Sequence, residues 1–221
     1  MIKELDMNRL NLQRLLTVCV LAASVNQAYA HSAEDHSQHQ APAARLESTR
    51  VEIVDVPLVD QDGKSVRLEK DLLNDKIVVM GFIYTSCTTV CPVVSSIMGK
   101  VQKQLGGRVG SDVQLVSISV DPLRDDPKRL ADYARQFQNG PGWSWLTGSA
   151  PSISDTLKGL GAQSPDLKNH APLIMVGDGN SSHWTRYYGF TDPQVLITEI
   201  NKLSGLRVHA KHTAIALESQ P

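Results

Sequence analysis

Cysteine is scarce in this chain, with only Cys19, Cys87 and Cys91 in 221 residues. So few thiols, with no paired Cys/His motif beside them, argue against a structural tetrahedral zinc site. Charge of one sign is lacking too. A net charge of -1 leaves no concentrated basic face, so no nucleic-acid partner is expected. No segment repeats at a fixed period. The apolar run at residues 15–25 (LLTVCVLAASV) is too short to span a bilayer comfortably. What remains is an ordinary balance of aliphatic and charged residues, in a chain long enough for one domain with a real core.

Arg9 and Arg14 precede that run, and Ala28-Tyr29-Ala30 follows it with the small-x-small pattern of a cleavage site. Residues 1–30 are therefore expected to be a signal peptide removed near Ala30, taking Cys19 with it. The protein is then periplasmic or otherwise exported. Membrane contact would come only through a partner, or through this segment if it stayed uncleaved. Residues 31–50 are expected to be a flexible leader, polar and small, carrying His31, His36 and His39. The plain reading is a solvated tail. A sharper one is that His31, freed as the new N-terminus, chelates copper or zinc. Export also means that two cysteines alone carry no chemical meaning, because structural disulfides are common outside the cytosol.

Residues 51–205 read as one α/β domain. Residues 56–60 and 65–68 flank an Asp62-Gly63 turn and predict a hairpin. Residues 76–84 (KIVVMGFIY) are almost continuously apolar, as in a central strand buried on both faces. Pro92 suits the first position of a helix, with Val94, Ile97, Met98, Val101 and Leu105 along one face and Gly106-Gly107 at its end. Residues 113–120 predict a second core strand, and Asp126 an N-cap with Pro127 behind it. A shorter helix is expected over 152–160, strands over 172–176 and 184–188, and a last helix from Asp192-Pro193 that Gly205 closes. Alternating strands and helices imply crossover units, whose working loops lie beyond the carboxyl ends of the strands. Residues 206–221 show no clear pattern and are expected to be a C-terminal tail, with His209 and His212 exposed.

One such working loop, after the strand that ends near Tyr84, holds Cys87 and Cys91 just before Pro92. A thiol at a helix N-terminus has its thiolate stabilised by unpaired N–H groups and the helix dipole, which Cys91 is placed to use. Two thiols at this spacing can form a disulfide, exchange with one, or hold a soft metal. Two thiolates with one imidazole suit copper, as Cu(I) or as tetragonal Cu(II). Inside the domain the imidazole has two candidates, His170 in the loop before an apolar strand and His183 in a polar turn.

The chain resembles the Sco/SenC family of copper-binding, thioredoxin-fold proteins. The matching residues are Tyr84-Thr85-Ser86-Cys87-Thr88-Thr89-Val90-Cys91-Pro92, then Ser119-Val120-Asp121-Pro122-Leu123-Arg124-Asp125-Asp126-Pro127 with Leu130, Tyr133 and Phe137, and finally His170. The resemblance implies an α/β, thioredoxin-like three-layer sandwich with an N-terminal β-hairpin. It implies a copper site made by Cys87, Cys91 and His170, with Asp121 ordering a loop or entering a helix. The implied role is a metallochaperone that delivers copper to, or reduces the cysteines of, the dinuclear copper centre of cytochrome c oxidase subunit two, or serves another periplasmic copper protein. The alternative is an enzyme, a thiol–disulfide oxidoreductase in which Cys87 or Cys91 attacks a partner's disulfide. Thr88-Thr89 stand where many members carry proline and an acid, and Asn169 where an Asp often precedes the histidine. Pro172 matches the place of the cis-proline in redox-active thioredoxins.

Overall fold

The computed structural model describes residues 45–164, 166 and 171–218. They belong to one compact unit, Pro42–Pro221. The expected signal peptide, His31, His36, His39, Cys19 and His170 lie outside the described residues.

Among the described residues, eight strands form one sheet: β1 (Arg45–Arg50), β2 (Pro57–Asp60), β3 (Ser65–Arg67), β4 (Ile77–Ile83), β5 (Val113–Ser119), β6 (Trp143–Thr147), β7 (Leu173–Asp178) and β8 (His183–Tyr188). Their order is β1-β8-β7-β4-β5-β6-β2-β3. The β4–β5 and β5–β6 pairs are parallel and the rest antiparallel. Four α-helices complete the described part of the domain: α1 (Val90–Leu105), α2 (Pro127–Ala134), α3 (Ala150–Gly159) and α4 (Pro193–Glu218).

The apolar run of β4 explains the layering. Its side chains alternate between faces, so Ile77, Val79 and Ile83 join one core while Val78, Met80 and Phe82 join the other. The first core is closed by Val94, Ile97, Met98 and Val101 of α1, Leu130 and Tyr133 of α2, and Leu196 and Ile200 of α4. The second is closed by Ile153 and Leu157 of α3 and by Leu68 and Leu73 of a π-helical turn. Each buried aliphatic or aromatic side chain contributes about 1.5–3 kcal/mol. Helices on both faces make the expected three-layer sandwich. Gly81 lets α1 pack close to β4, because a Cβ there would meet Met98 Sδ at 2.6 Å.

The hairpin forms as expected around Asp62-Gly63. Gly63 supplies the positive φ, and Asp60 Oδ1 accepts the N–H groups of Asp62 and Lys64, both at 2.9 Å. The Asp126 cap also forms, its carboxylate accepting the Arg129 N–H at 2.7 Å.

Three elements depart from the expectations. Arg45–Arg50, inside the span read as leader, is a strand, because β8 offers it a free edge and pairs it from Arg45↔Tyr188 to Arg50↔His183. β6 has no counterpart in the reading above; Trp143, Trp145 and Leu146 are buried because β5 pairs them on one side and β2 pairs Leu146 on the other. The last helix does not close at Gly205 but continues to Glu218, so residues 206–218 are helical rather than a patternless tail. A glycine inside a helix costs only about 1 kcal/mol. Here the turn beyond it is tied down, because Arg207 pairs with Asp178 and donates to the Lys76 carbonyl. His209 and His212 are exposed on this extension. Among the described residues, no helix is long and apolar enough to cross a membrane.

Candidate dithiol site

The cysteine loop leaves the carboxyl end of β4 and enters α1, between the two central parallel strands and the helix that links them. α1 starts at Val90, two residues earlier than expected. Pro92 therefore occupies the third helical position, where a missing N–H still costs nothing because the first turn's N–H groups have no partner inside the helix. Cys91 lies within that first turn, and Cys87 sits just outside it. Both are free thiols and both are buried, 5% and 1% exposed for Cys87 and Cys91.

This placement reverses the expected roles of the two sulfurs. The Cys91 N–H donates to Cys87 Sγ at 3.4 Å, so the helix terminus serves Cys87. Burial works to raise the Cys87 pKa. The hydrogen bonds it receives from the Cys91 thiol, from the backbone of Cys91 and Thr89 and from the Tyr84 hydroxyl outweigh it, and the thiol is lowered to about 7. Cys91 goes the other way, pushed up to about 12 by burial and then by its hydrogen bond with Cys87. Tyr84 is likewise raised to about 12, first by burial and then by its bond to Cys87. The pair thus shares one proton near neutrality, with the negative charge on Cys87.

The thiolate is the species that alkylates. In reduced, metal-free protein, iodoacetamide is expected to label Cys87 with a rate that climbs as pH rises through about 7, while Cys91 stays silent until far more alkaline pH. Labelling of Cys91 first would contradict this assignment.

Of the other predicted site residues, His183 opens β8 on an exposed position, where its backbone N–H meets Ser181 Oγ at 3.1 Å. The cysteine pair and His170 are not brought together among the described residues, because His170 lies outside them. Asp166, four positions before it in sequence, contributes to the raised pKa of Tyr84. No cis peptide occurs among the described residues, so the Ala171–Pro172 bond is trans and the analogy to a thioredoxin cis-proline does not hold.

Asp121 orders its own turn rather than the cysteine loop. Its carboxylate pairs with Arg124 at 2.8 Å, and its carbonyl accepts the N–H groups of Arg124 and Asp125. The acid that reaches the cysteine loop is Asp125, which takes Thr85 Oγ1 at 2.5 Å and the Thr85 N–H at 3.0 Å. Nothing in residue spacing distinguishes Asp125 from the neighbouring acids Asp121 and Asp126; only the direction its carboxylate takes in the fold does.

A pair of thiols at the exit of the central parallel strand, with one sulfur capping the next helix, defines a thioredoxin-like dithiol protein. The SCO1/SenC family model matches residues 50–205, and the chain belongs to that family. It is 40% identical over 97 residues to a SCO1 protein homolog of Bacillus subtilis, a match covering 42% of this chain and 47% of that protein. The chain spans about half the length of the first curated relatives it matches. Among solved structures it is similar to BsSco, a member of the Sco family of cytochrome c oxidase assembly proteins in which a disulfide switch is identified. The TM-score is 0.62 at 28% identity, covering 72% of this chain and 97% of that one. It is also similar to Arabidopsis thaliana ScoI with copper bound, with a TM-score of 0.58 at 25% identity, covering 68% and 96% of the two chains.

Proposed function

We propose that the chain is an exported copper chaperone that takes copper as its cargo on Cys87, Cys91 and His170 and assists assembly of the dinuclear copper centre of cytochrome c oxidase. The observation that carries this reading is the pair of free, buried thiols at the start of α1, with the Cys91 N–H donated to Cys87 Sγ. A sulfur already anionic at about 7 is ready to bind a soft metal without a large proton penalty. Such a donor set fits copper, which the similar Arabidopsis thaliana ScoI holds in its solved structure.

The reach of His170 supports it as third ligand. It lies four positions after Asp166, which contributes to the raised pKa of Tyr84, and fully extended chain spans at most about 14 Å over that length. On the other side Pro172 is fixed by the Gly189 N–H at 2.9 Å, and Ile174 pairs with Gly81 near the end of β4. The strand that follows His170 in sequence thus begins beside the carboxyl end of the central strand, which supports the proposed ligand. A leader removed near Ala30 would place the domain outside the cytosol, and the partner proposed there is subunit two of the oxidase or another periplasmic copper protein.

Copper titration of the reduced mature domain tests this. About one equivalent per domain is expected, with a thiolate-to-Cu(II) charge-transfer band. His170→Ala is expected to weaken retention and change that band. An unchanged affinity and spectrum in His170→Ala would remove histidine from the site. The second reading, thiol–disulfide exchange on a partner's cysteines, is favoured by the same low Cys87 pKa, which makes it the attacking sulfur. Reductase turnover on protein disulfides without copper retention would select it.

A further inference from the structure

Asp125 has no role in the copper reading, yet it is the most heavily engaged acid near the dithiol. It is 2% exposed. Its Oδ2 accepts from Ser119 Oγ at 2.6 Å and from the Thr85 N–H at 3.0 Å, and its Oδ1 accepts from Thr85 Oγ1 at 2.5 Å. Its carbonyl accepts Thr147 Oγ1 at 2.8 Å, and its N–H donates to the Asp121 carbonyl at 2.9 Å. One residue thereby joins the end of β5, the end of β6 and the cysteine loop. A buried carboxylate is tolerated only when its oxygens are well satisfied. Two of its three side-chain bonds come from Thr85, which leaves β4 two residues before Cys87.

The loop has few other anchors. The Cys87 N–H turns back to the Tyr84 carbonyl at 3.1 Å, and Thr89, the N-cap of α1, makes no side-chain capping bond. The register of Cys87 against the first turn of α1 therefore depends on where Thr85 is held. We propose that Asp125 is a positioning residue for the dithiol: through Thr85 it fixes the exit of the cysteine loop from β4, and so holds Cys87 Sγ against the Cys91 N–H. The purpose of that geometry rests on the copper reading; the positioning itself does not.

The test uses three variants of the mature protein, Asp125→Asn, Thr85→Val and Thr85→Ser, in two measurements. The first is amide hydrogen exchange over residues 85–91 in reduced, metal-free protein. Asp125→Asn and Thr85→Val each remove a bond to a charged acceptor, and are expected to speed exchange there by roughly ten- to hundredfold. Thr85→Ser restores the hydroxyl and is expected to exchange like the parent. The second is the rate of copper loss to a chelator, expected to rise roughly tenfold in Asp125→Asn and Thr85→Val but not in Thr85→Ser. Loop exchange unchanged in Thr85→Val, or identical in Thr85→Val and Thr85→Ser, would overturn the proposal. So would an Asp125→Asn protein that exchanges faster everywhere in proportion, since that marks a general stabilising role. If Asp125→Asn does not fold, the two Thr85 variants decide. A parent protein that retains no copper overturns the copper reading, while the exchange data still support or overturn the positioning.

Discussion

Replacing Cys87 with serine is expected to abolish tight copper retention while the domain stays folded. Loss of a hydrogen-bond partner behind a metal ligand typically weakens binding by roughly 10- to 100-fold. Loss of the ligand that carries the negative charge should exceed that. Cys87 is the sulfur that the helix terminus and Tyr84 keep anionic at about pH 7, whereas a serine hydroxyl at the same place stays protonated. Serine can still accept the Cys91 N–H, so the first turn of α1 keeps its cap and the stability change should be small. Cys91→Ser is expected to be less clean. Cys91 belongs to the core cluster with Val94 and Tyr133, where a hydroxyl is costlier to bury than a thiol even when it keeps the bond to Cys87. Copper titration with parallel thermal melts separates the two cases. A Cys87→Ser protein that holds copper as the parent does would end the dithiolate reading.

The largest expected loss of stability comes from Trp145→Ala. Trp145 is fully buried on β6, with its ring stacked 4.7 Å from Trp143, edge-on to Tyr133 at 5.6 Å, and 6.2 Å from Phe137. Truncating a buried aromatic costs about 3–5 kcal/mol, from lost transfer energy plus the cavity left behind. The damage should reach the site, because Tyr133 loses a wall and its hydroxyl is the partner of Ser95 on α1, at 3.5 Å. Trp145→Phe provides the contrast. The Trp145 Nε1 has no hydrogen-bond partner among the described residues, and an unsatisfied buried donor costs about 1–3 kcal/mol. Phenylalanine keeps much of the packing and removes that donor, so it should lose far less than alanine. Urea denaturation of the three proteins measures this. Equal losses in both variants would show that packing around Trp145 is not what holds β6.

The parts of the fold legible in the chain are those whose cause is local. A nearly continuous apolar run of strand length reads as a central strand, so β4 was visible, and β5 was legible as a second core strand despite Gln114, Ser117 and Ser119. Asp62-Gly63 and Asp126-Pro127 carry their turn and cap chemistry within a few residues, and the hairpin and α2 follow. β1 and β6 have no such cause. Arg45–Arg50 is polar enough to read as leader and becomes a strand only because β8 leaves an edge free. The extension of α4 past Gly205 depends on Asp178, far away in sequence, reaching Arg207.

At the dithiol loop, the sequence alone determined the residues: two cysteines after a buried strand and before a proline, with an acidic stretch and a histidine further along. It also determined the sheet end where they lie, through the strand–loop–helix pattern. Which sulfur carries the charge was a tertiary decision. A thiolate forms where N–H and O–H donors converge, and α1 beginning at Val90 turns the Cys91 N–H toward Cys87. The choice of Asp125 over Asp121 as the acid that meets the loop was decided the same way. Both are buried acids of one turn, and only the packing of β5 against the loop directs one carboxylate at Thr85 and the other at Arg124.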